Sequence, residues 1–453
     1  MGQSKASLTT TLDLEPLSLL ILGSLRPIDL ASLNLVSKGC RQASLPILYS
    51  RIMIYNSSTA RKILNTIFQQ PKYGPFVNTL LFSSSRGQTR CHHVLSREMT
   101  SLLAKVLPIL SNLEYLLISD VWALSAAIFA RYQEISSNLG VCQLYGITIS
   151  GQGRVVEFLS LLAKQKALRT LKMSLNALPE DYINLQLSGQ QDNFTLPPNC
   201  LPALTVFEGP IFIGSKLIQA QTPLENIRLH LPLDYDTSFT LERGIQPELL
   251  SSVLDLKALG ADIACSHVGK TLKTLALWGF PSDEELHDLQ YAKKETPLPD
   301  LDVTDVLGDF LHTLALQCPH LRHIGALPLP SKDCSSIHEA LMEMHSLRSI
   351  EFNVSPWLAP SSILTPSLGI PHSVFPSPTT LKAISMEMKM YCPTLRYFVY
   401  TLRPQPSARY HRIDRVVWIC SSSRNDNMNT HAKAAKQTGW ESEWTDLWLL
   451  MSG

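Results

Sequence analysis

The spacing Leu-x-x-Leu-x-Leu recurs along the chain, and it limits the possible folds more than any other feature. Its fullest copy is "LRTLKMSLNAL", which sets Leu168, Leu171, Met173, Asn176 and Leu178 in register. Looser copies are "LEYLLI" at Leu113, "LYGITI" at Leu144, "LTVFEG" at Leu204 and "LENIRL" at Leu224. They continue with "LKTLAL" at Leu272, "LRHIGA" at Leu321, "LRSIEF" at Leu347 and "LRYFVY" at Leu395. "VNTLLF" at Val77 and "IDRVVW" at Ile413 read as end copies. The alternation turns every second side chain to one face, as in a short strand. One such strand cannot bury that face alone, so each copy must be covered by the next.

The offsets are those of a leucine-rich repeat. Neighbouring copies stand about 20 to about 50 residues apart, against ~20–29 in regular arrays. Some gaps therefore hold insertions, near 232–266, 281–305 and 355–380. The first turns helical after a polar start, and the second is acidic. The third is a Pro/Ser-rich loop with candidate phosphorylation sites at Ser355, Thr365 and Ser377. Most copies lack the Asn that Asn176 supplies, so the ladder is expected to be irregular. Cys318-Pro319 and Cys392-Pro393 mark the ends of helices, with the thiols packed in the corners. Trp440, Trp444, Leu447 and Trp448 lie on one helical face and read as a C-terminal cap. The fold class is thus α/β, an irregular solenoid over 76–453 with parallel strands on the concave face and helices on the convex face.

Of the 453 residues, 45% are apolar, enough for a large core, and the formal charge is +1. That charge argues against nucleic acid as the main partner. The nine cysteines show no CxxC spacing. That suggests a reducing compartment, and hence a cytoplasmic or nuclear location. No segment reads as membrane-spanning, since the longest candidate, 115–130, is short and broken by Asp120.

Before the repeats comes a compact Leu-rich block, 12–54, followed by a connector helix over 55–75. "LEPLSLLILGSL" is apolar nearly all round. Pro27 separates it from a second helix, Asp29 belongs in that helix's first turn, and Gly39 is its expected stop. "RQASLPILYSRI" follows as a third helix with Leu45, Leu48 and Tyr49. The second helix has two apolar stripes: Leu30, Leu33 and Val36 on one side, Ile28, Ala31 and Leu35 on the other. Three short helices cannot enclose both.

The landmarks Leu25, Pro27, Asp29, Leu30, Leu33, Val36, Ser37, Lys38, Arg41, Leu48 and Tyr49 make this block resemble an F-box of the form common in fungal proteins. With the repeats behind it, the chain resembles F-box proteins of the leucine-rich-repeat type. It departs from them at the start, where "LDLEPL" displaces the usual Pro to Pro16 and Leu20 replaces an acid. The resemblance implies a non-catalytic subunit. Its F-box would bind a Skp-type adaptor and, through it, cullin and RING subunits, while the repeats hold a protein substrate for ubiquitin transfer. By the same resemblance Leu25, Pro27, Leu30, Leu33 and Val36 face the adaptor, and Ile28, Ala31 and Leu35 pack inside the block. The alternative is a non-catalytic interaction scaffold, with the block as a structural cap on the first repeat and no ligase link.

Site chemistry offers nothing sharper. "GQGRVVEF" is a lone Gly-x-Gly and "CHH" at Cys91 sits in a polar connector, so neither implies a cofactor. His312, Cys318, His320 and His323 do not make a zinc set, because His320 and His323 flank Leu321 on the strand's outer face. The substrate would meet the x positions of the strands: Arg169, Lys172, Glu225, Arg228, Lys273, Arg322, Arg348, Glu351, Arg396 and Tyr397. The basic ones point to an acidic or phosphorylated ligand.

Overall fold

A computed structural model of the chain describes residues 21–82, 97–118, 124–125, 138–148, 160–175, 196–230, 247–278, 303–328, 335–354, 378–402, 414–419 and 431–435. Strands and helices alternate in an α/β architecture, and the chain divides into two compact units, Met1–Ala177 and Leu178–Gly453.

The first unit holds α1 (Pro27–Leu33), α2 (Lys38–Ser50), β1 (Arg51–Ile54), α3 (Ser57–Gln69), β2 (Thr79–Phe82) and α4 (Arg97–Val106). It continues with β3 (Tyr115–Ile118), β4 (Leu124–Ser125), β5 (Val141–Thr148) and β6 (Thr170–Leu175). Its sheet runs β1-β2-β3-β5-β6, with β4 on β5, and the described pairs are parallel. β1 falls within the Leu-rich block, so the sheet starts one strand before the first recognised copy at Val77.

The second unit holds β7 (Val206–Pro210), α5 (Ile211–Gln219), β8 (Asn226–His230), α6 (Pro247–Cys265), α7 (Val268–Thr271) and β9 (Thr274–Trp278). After these come α8 (Val303–Gln317), β10 (His323–Pro328), α9 (Ser335–Glu343), β11 (Ser349–Val354), α10 (Pro378–Tyr391) and β12 (Tyr397–Leu402). β13 (Asp414–Ile419) and β14 (His431–Ala435) complete it. β7 to β12 are parallel neighbours in chain order. The helices between them pack in the same order, α5 on α6, α6 on α8, α8 on α9 and α9 on α10.

What repeats is a joint at the start of each strand. The carbonyl of one residue accepts two successive amides from the next repeat. Lys273 O takes Arg322 N at 2.8 Å and His323 N at 3.2 Å. Arg322 O takes Arg348 N at 2.8 Å and Ser349 N at 3.0 Å, and Arg348 O takes Arg396 N at 2.7 Å and Tyr397 N at 3.1 Å. Asn78, Glu114, Gly140, Thr205 and Glu225 accept in the same way. A carbonyl has two lone pairs, so one acceptor satisfies both donors at the point where the chain turns into the strand.

The motif leucines lock each joint from the core side. Leu113, Leu168, Leu204, Leu224, Leu272, Leu321, Leu347 and Leu395 are all buried, each just before the joint residue. The apolar residues of the strands follow at three and five positions on. Leu171 and Met173, Ile227 and Leu229, Leu275 and Leu277, and Phe398 and Tyr400 are buried. Each fully buried Leu or Ile contributes about 1.5–3 kcal/mol. α8 and α10 end at Gln317 and Tyr391, and buried Cys318 and Cys392 follow them. Their carbonyls accept the Leu321 and Leu395 amides, both at 3.1 Å.

The structure corrects the sequence reading in several places. The copy in β5 is not "LYGITI". The buried set is Leu139, Cys142 and Leu144, five residues earlier in register, with Cys142 in the place of a leucine. "IDRVVW" is not an end copy of the repeat, because β13 runs antiparallel to β12 and β14 antiparallel to β13. Gly39 does not stop the second helix. That helix ends at Leu33, and Gly39 lies in the first turn of α2, where Ser37 caps the Cys40 amide at 3.1 Å. The first-helix residues before 21, Asn176, Leu178, the Pro/Ser-rich 355–377, the acidic 279–302 and the C-terminal tryptophans lie outside the described residues, as do "GQGRVVEF" and "CHH". Among the described residues no helix is long and apolar enough to cross a membrane.

Candidate functional site

In the first unit the candidate surface is α1 and the turn after it. Pro27 occupies the first helical positions, where its missing amide costs nothing. Asp29 lies in the first turn and accepts from Arg26 Nε at 2.9 Å. The side chain of Ser44, on α2, lies 2.8 Å from Asn34 Oδ1 and so ties the two helices together.

Burial divides the two apolar stripes differently from the expectation: Leu30 alone of its stripe is buried, Val36 stays exposed as expected, and the stripe expected inside the block is exposed. Leu30 is 3% exposed and Leu33 half-buried, whereas Ile28 is 68% and Leu35 88% exposed, with Ala31 exposed beside them. Val36 is 70% exposed, Pro27 exposed and Leu25 half-buried. α2 packs on α1, and Leu30 is the one α1 side chain that is fully buried. Leu30 is therefore a core residue of the block. Ile21, Ile28, Leu35 and Val36 are large apolar side chains left in water.

In the second unit the candidate site is the polar face of the sheet. Glu208 and Arg228 are register partners on β7 and β8. Arg228 Nη1 lies 3.5 Å from Glu208 Oε1, with the two side chains only 6% and 7% exposed. His230 Nε2 is 3.6 Å from the same oxygen. The next positions across are Ala276 and Gly325. Beyond them His323 Nε2 lies 4.0 Å from Glu351 Oε2, and His323 Nδ1 lies 3.1 Å from Ser349 Oγ. A methyl on Gly325 would stand 2.7 Å from His323 Nε2 and 3.0 Å from both Ala276 Cβ and Glu351 Oε2, so a larger residue there would push the pair aside. Thr274 donates to Asn226 Oδ1 at 2.9 Å in the same face.

Burial changes what the x positions can do. Arg228 and Glu351 were expected on an open strand face, but both are buried, because neighbouring strands enclose them among charged partners. His323, expected on the outer face, is 1% exposed for the same reason. Removing one member of such a pair strands a buried charge. These residues set the sheet's internal order and are poor first contacts for a ligand. Arg169, Arg322 and Arg396 are exposed, while Lys172, Arg348 and Tyr397 are half-buried. Lys273 Nζ is 2.8 Å from Glu225 Oε2 near the surface. Glu208 and His230 escaped the sequence reading; a polar residue directly after a buried apolar strand residue, Phe207 or Leu229, was the available signal.

Among the described residues no three His, Cys, Asp or Glu side chains converge to hold a metal. His312 is engaged with Glu343 at 3.2 Å, His320 is exposed and Cys318 is buried. Burial alone pushes the Cys318 thiol up to about 12. Compared with known proteins, the chain matches no family model and no curated sequence.

Proposed function

We propose that the chain is a substrate-recognition subunit of an SCF-type ubiquitin ligase. The Leu-rich block acts as an F-box that docks a Skp-type adaptor, and an irregular leucine-rich-repeat solenoid receives the protein substrate. The ubiquitin chemistry belongs to the cullin-bound partners, and the chain itself needs no cofactor. The observation that carries this reading is the run of exposed Ile28, Leu35 and Val36 on a block whose own core already contains Leu30. Water-exposed apolar side chains this close together mark an interaction surface. Burying Leu35 and Val36 at an interface contributes about 1.5–3 kcal/mol each when complete.

The docking residues are accordingly Pro27, Ile28, Ala31, Leu35 and Val36, with Leu25 and Leu33 at the rim and Leu30 beneath them. The test is co-purification of the full chain with a Skp-type adaptor. Leu35→Asp/Val36→Asp should weaken capture at least tenfold while leaving the thermal midpoint unchanged. A wild-type chain that captures no adaptor, or a double variant that captures it equally well, removes the ligase reading. The second reading is the scaffold, in which the block is a cap and Leu30, 3% exposed, is part of its internal core. On that reading Leu30→Asp unfolds the block and no adaptor binds either protein.

A further inference from the structure

The joint residues of the second unit form a charged ladder. Glu225, Lys273, Arg322, Arg348 and Arg396 are linked in that order, each one's carbonyl accepting the next one's amide. Each immediately precedes one of the successive parallel strands, so they stand at one level, about 4.8 Å apart per step. The first step is neutralised, with Lys273 Nζ 2.8 Å from Glu225 Oε2. The next three positions are all arginine. Arg322 and Arg396 are exposed and Arg348 half-buried. Among the described residues no carboxylate lies within ion-pair reach of any of the three. Like charges side by side on adjacent repeats repel, and among the described residues no carboxylate offsets the cost.

We infer that this arginine ladder binds an extended acidic segment of a protein partner, its carboxylates taking the place that Glu225 fills beside Lys273. The carboxylate is the ligand group already seated on the ladder. Guanidinium forks bind carboxylates in pairs of parallel hydrogen bonds, which a fixed row of three converts into selectivity for clustered acids. The inference deepens the proposed function, since it rests on the second unit being the substrate-receiving one and gives the substrate's chemical class.

The test is fluorescence anisotropy of the full chain with a labelled decapeptide of alternating Glu and Ser. Comparison peptides carry Gln for Glu, or one phosphoserine in the Gln background. At low salt the Glu peptide should bind at least tenfold more tightly than the Gln peptide, with affinity falling steeply as salt rises. Arg322→Gln/Arg348→Gln/Arg396→Gln should lose at least tenfold. Lys257→Gln/Lys270→Gln, at exposed lysines of the same unit, should stay within twofold. The triple variant should melt no earlier than the wild type, since it relieves repulsion. Equal binding of Glu and Gln peptides, full binding by the triple variant, or binding of the phosphoserine peptide alone overturns the inference. Adaptor capture separates the two proposals. A chain that binds the Glu peptide through the ladder but captures no adaptor keeps the ladder and loses the ligase reading.

Discussion

At the scale of single residues, the buried cysteines show how the core uses a side chain of leucine-like habit. Cys142 fills a strand position and Cys318 a helix-end corner, and burial pushes both thiols up to about 12. At pH 8 burial keeps both as the thiol, and the thiolate is the reactive form. Cys265 is exposed. Alkylation of the native chain at pH 8, read by peptide mass spectrometry, should therefore label Cys265 and spare Cys142 and Cys318 until denaturant is added. A thiol whose folded value lies above its unfolded one stabilises the fold fully below the unfolded value. That contribution is lost as pH rises toward the folded value. Denaturant midpoints should accordingly fall between pH 9 and about 12, and Cys142→Ala/Cys318→Ala should flatten that fall.

The same residue explains a failure of sequence reading. With Cys142 in a leucine's place, the eye moves to Leu144, the last apolar member of the set, and assigns the copy five residues late. Where large apolar side chains hold every position, as at Leu347, Ile350 and Phe352, strand and register are legible directly. The Glu208–Arg228 pair was not legible at all, because it exists only once two strands lie side by side.

At the scale of elements, the informative strands are β13 and β14. A parallel sheet leaves the last strand with an open row of amides and carbonyls, which templates aggregation. Here the chain reverses after β12 and covers that edge with two antiparallel strands. Apolar alternation is blind to strand direction, which is why "IDRVVW" passed for another repeat. Ending the chain after Leu402 should uncover β12. Size-exclusion chromatography with light scattering should then show higher oligomers, while the full chain under the same conditions does not. α1 illustrates a related limit. Periodicity identified two apolar stripes but not the one α2 would meet, and the packing chose Leu30.

At the scale of the whole molecule, two compact units carry two different surfaces, one apolar and one cationic. Their proposed partners differ in chemistry, so their losses should be separable. Leu35→Asp/Val36→Asp should abolish adaptor capture and leave acidic-peptide affinity within twofold. The triple arginine variant should do the reverse. Surface plasmon resonance on one preparation of each protein reads both, and a variant that loses both activities together contradicts the division of labour.

The joints have a consequence for how such a chain can change. Each carbonyl that gathers two amides closes its repeat at one point, whatever lies between that point and the next. One step spans 26 residues and the following one 48, yet the joints have the same form. The coupling is standardised and the spacer is free. A chain built this way can lengthen a segment, or accept a foreign domain within it, without disturbing the strands on either side. New recognition surfaces can therefore be added at those places while the leucines continue to hold the stack.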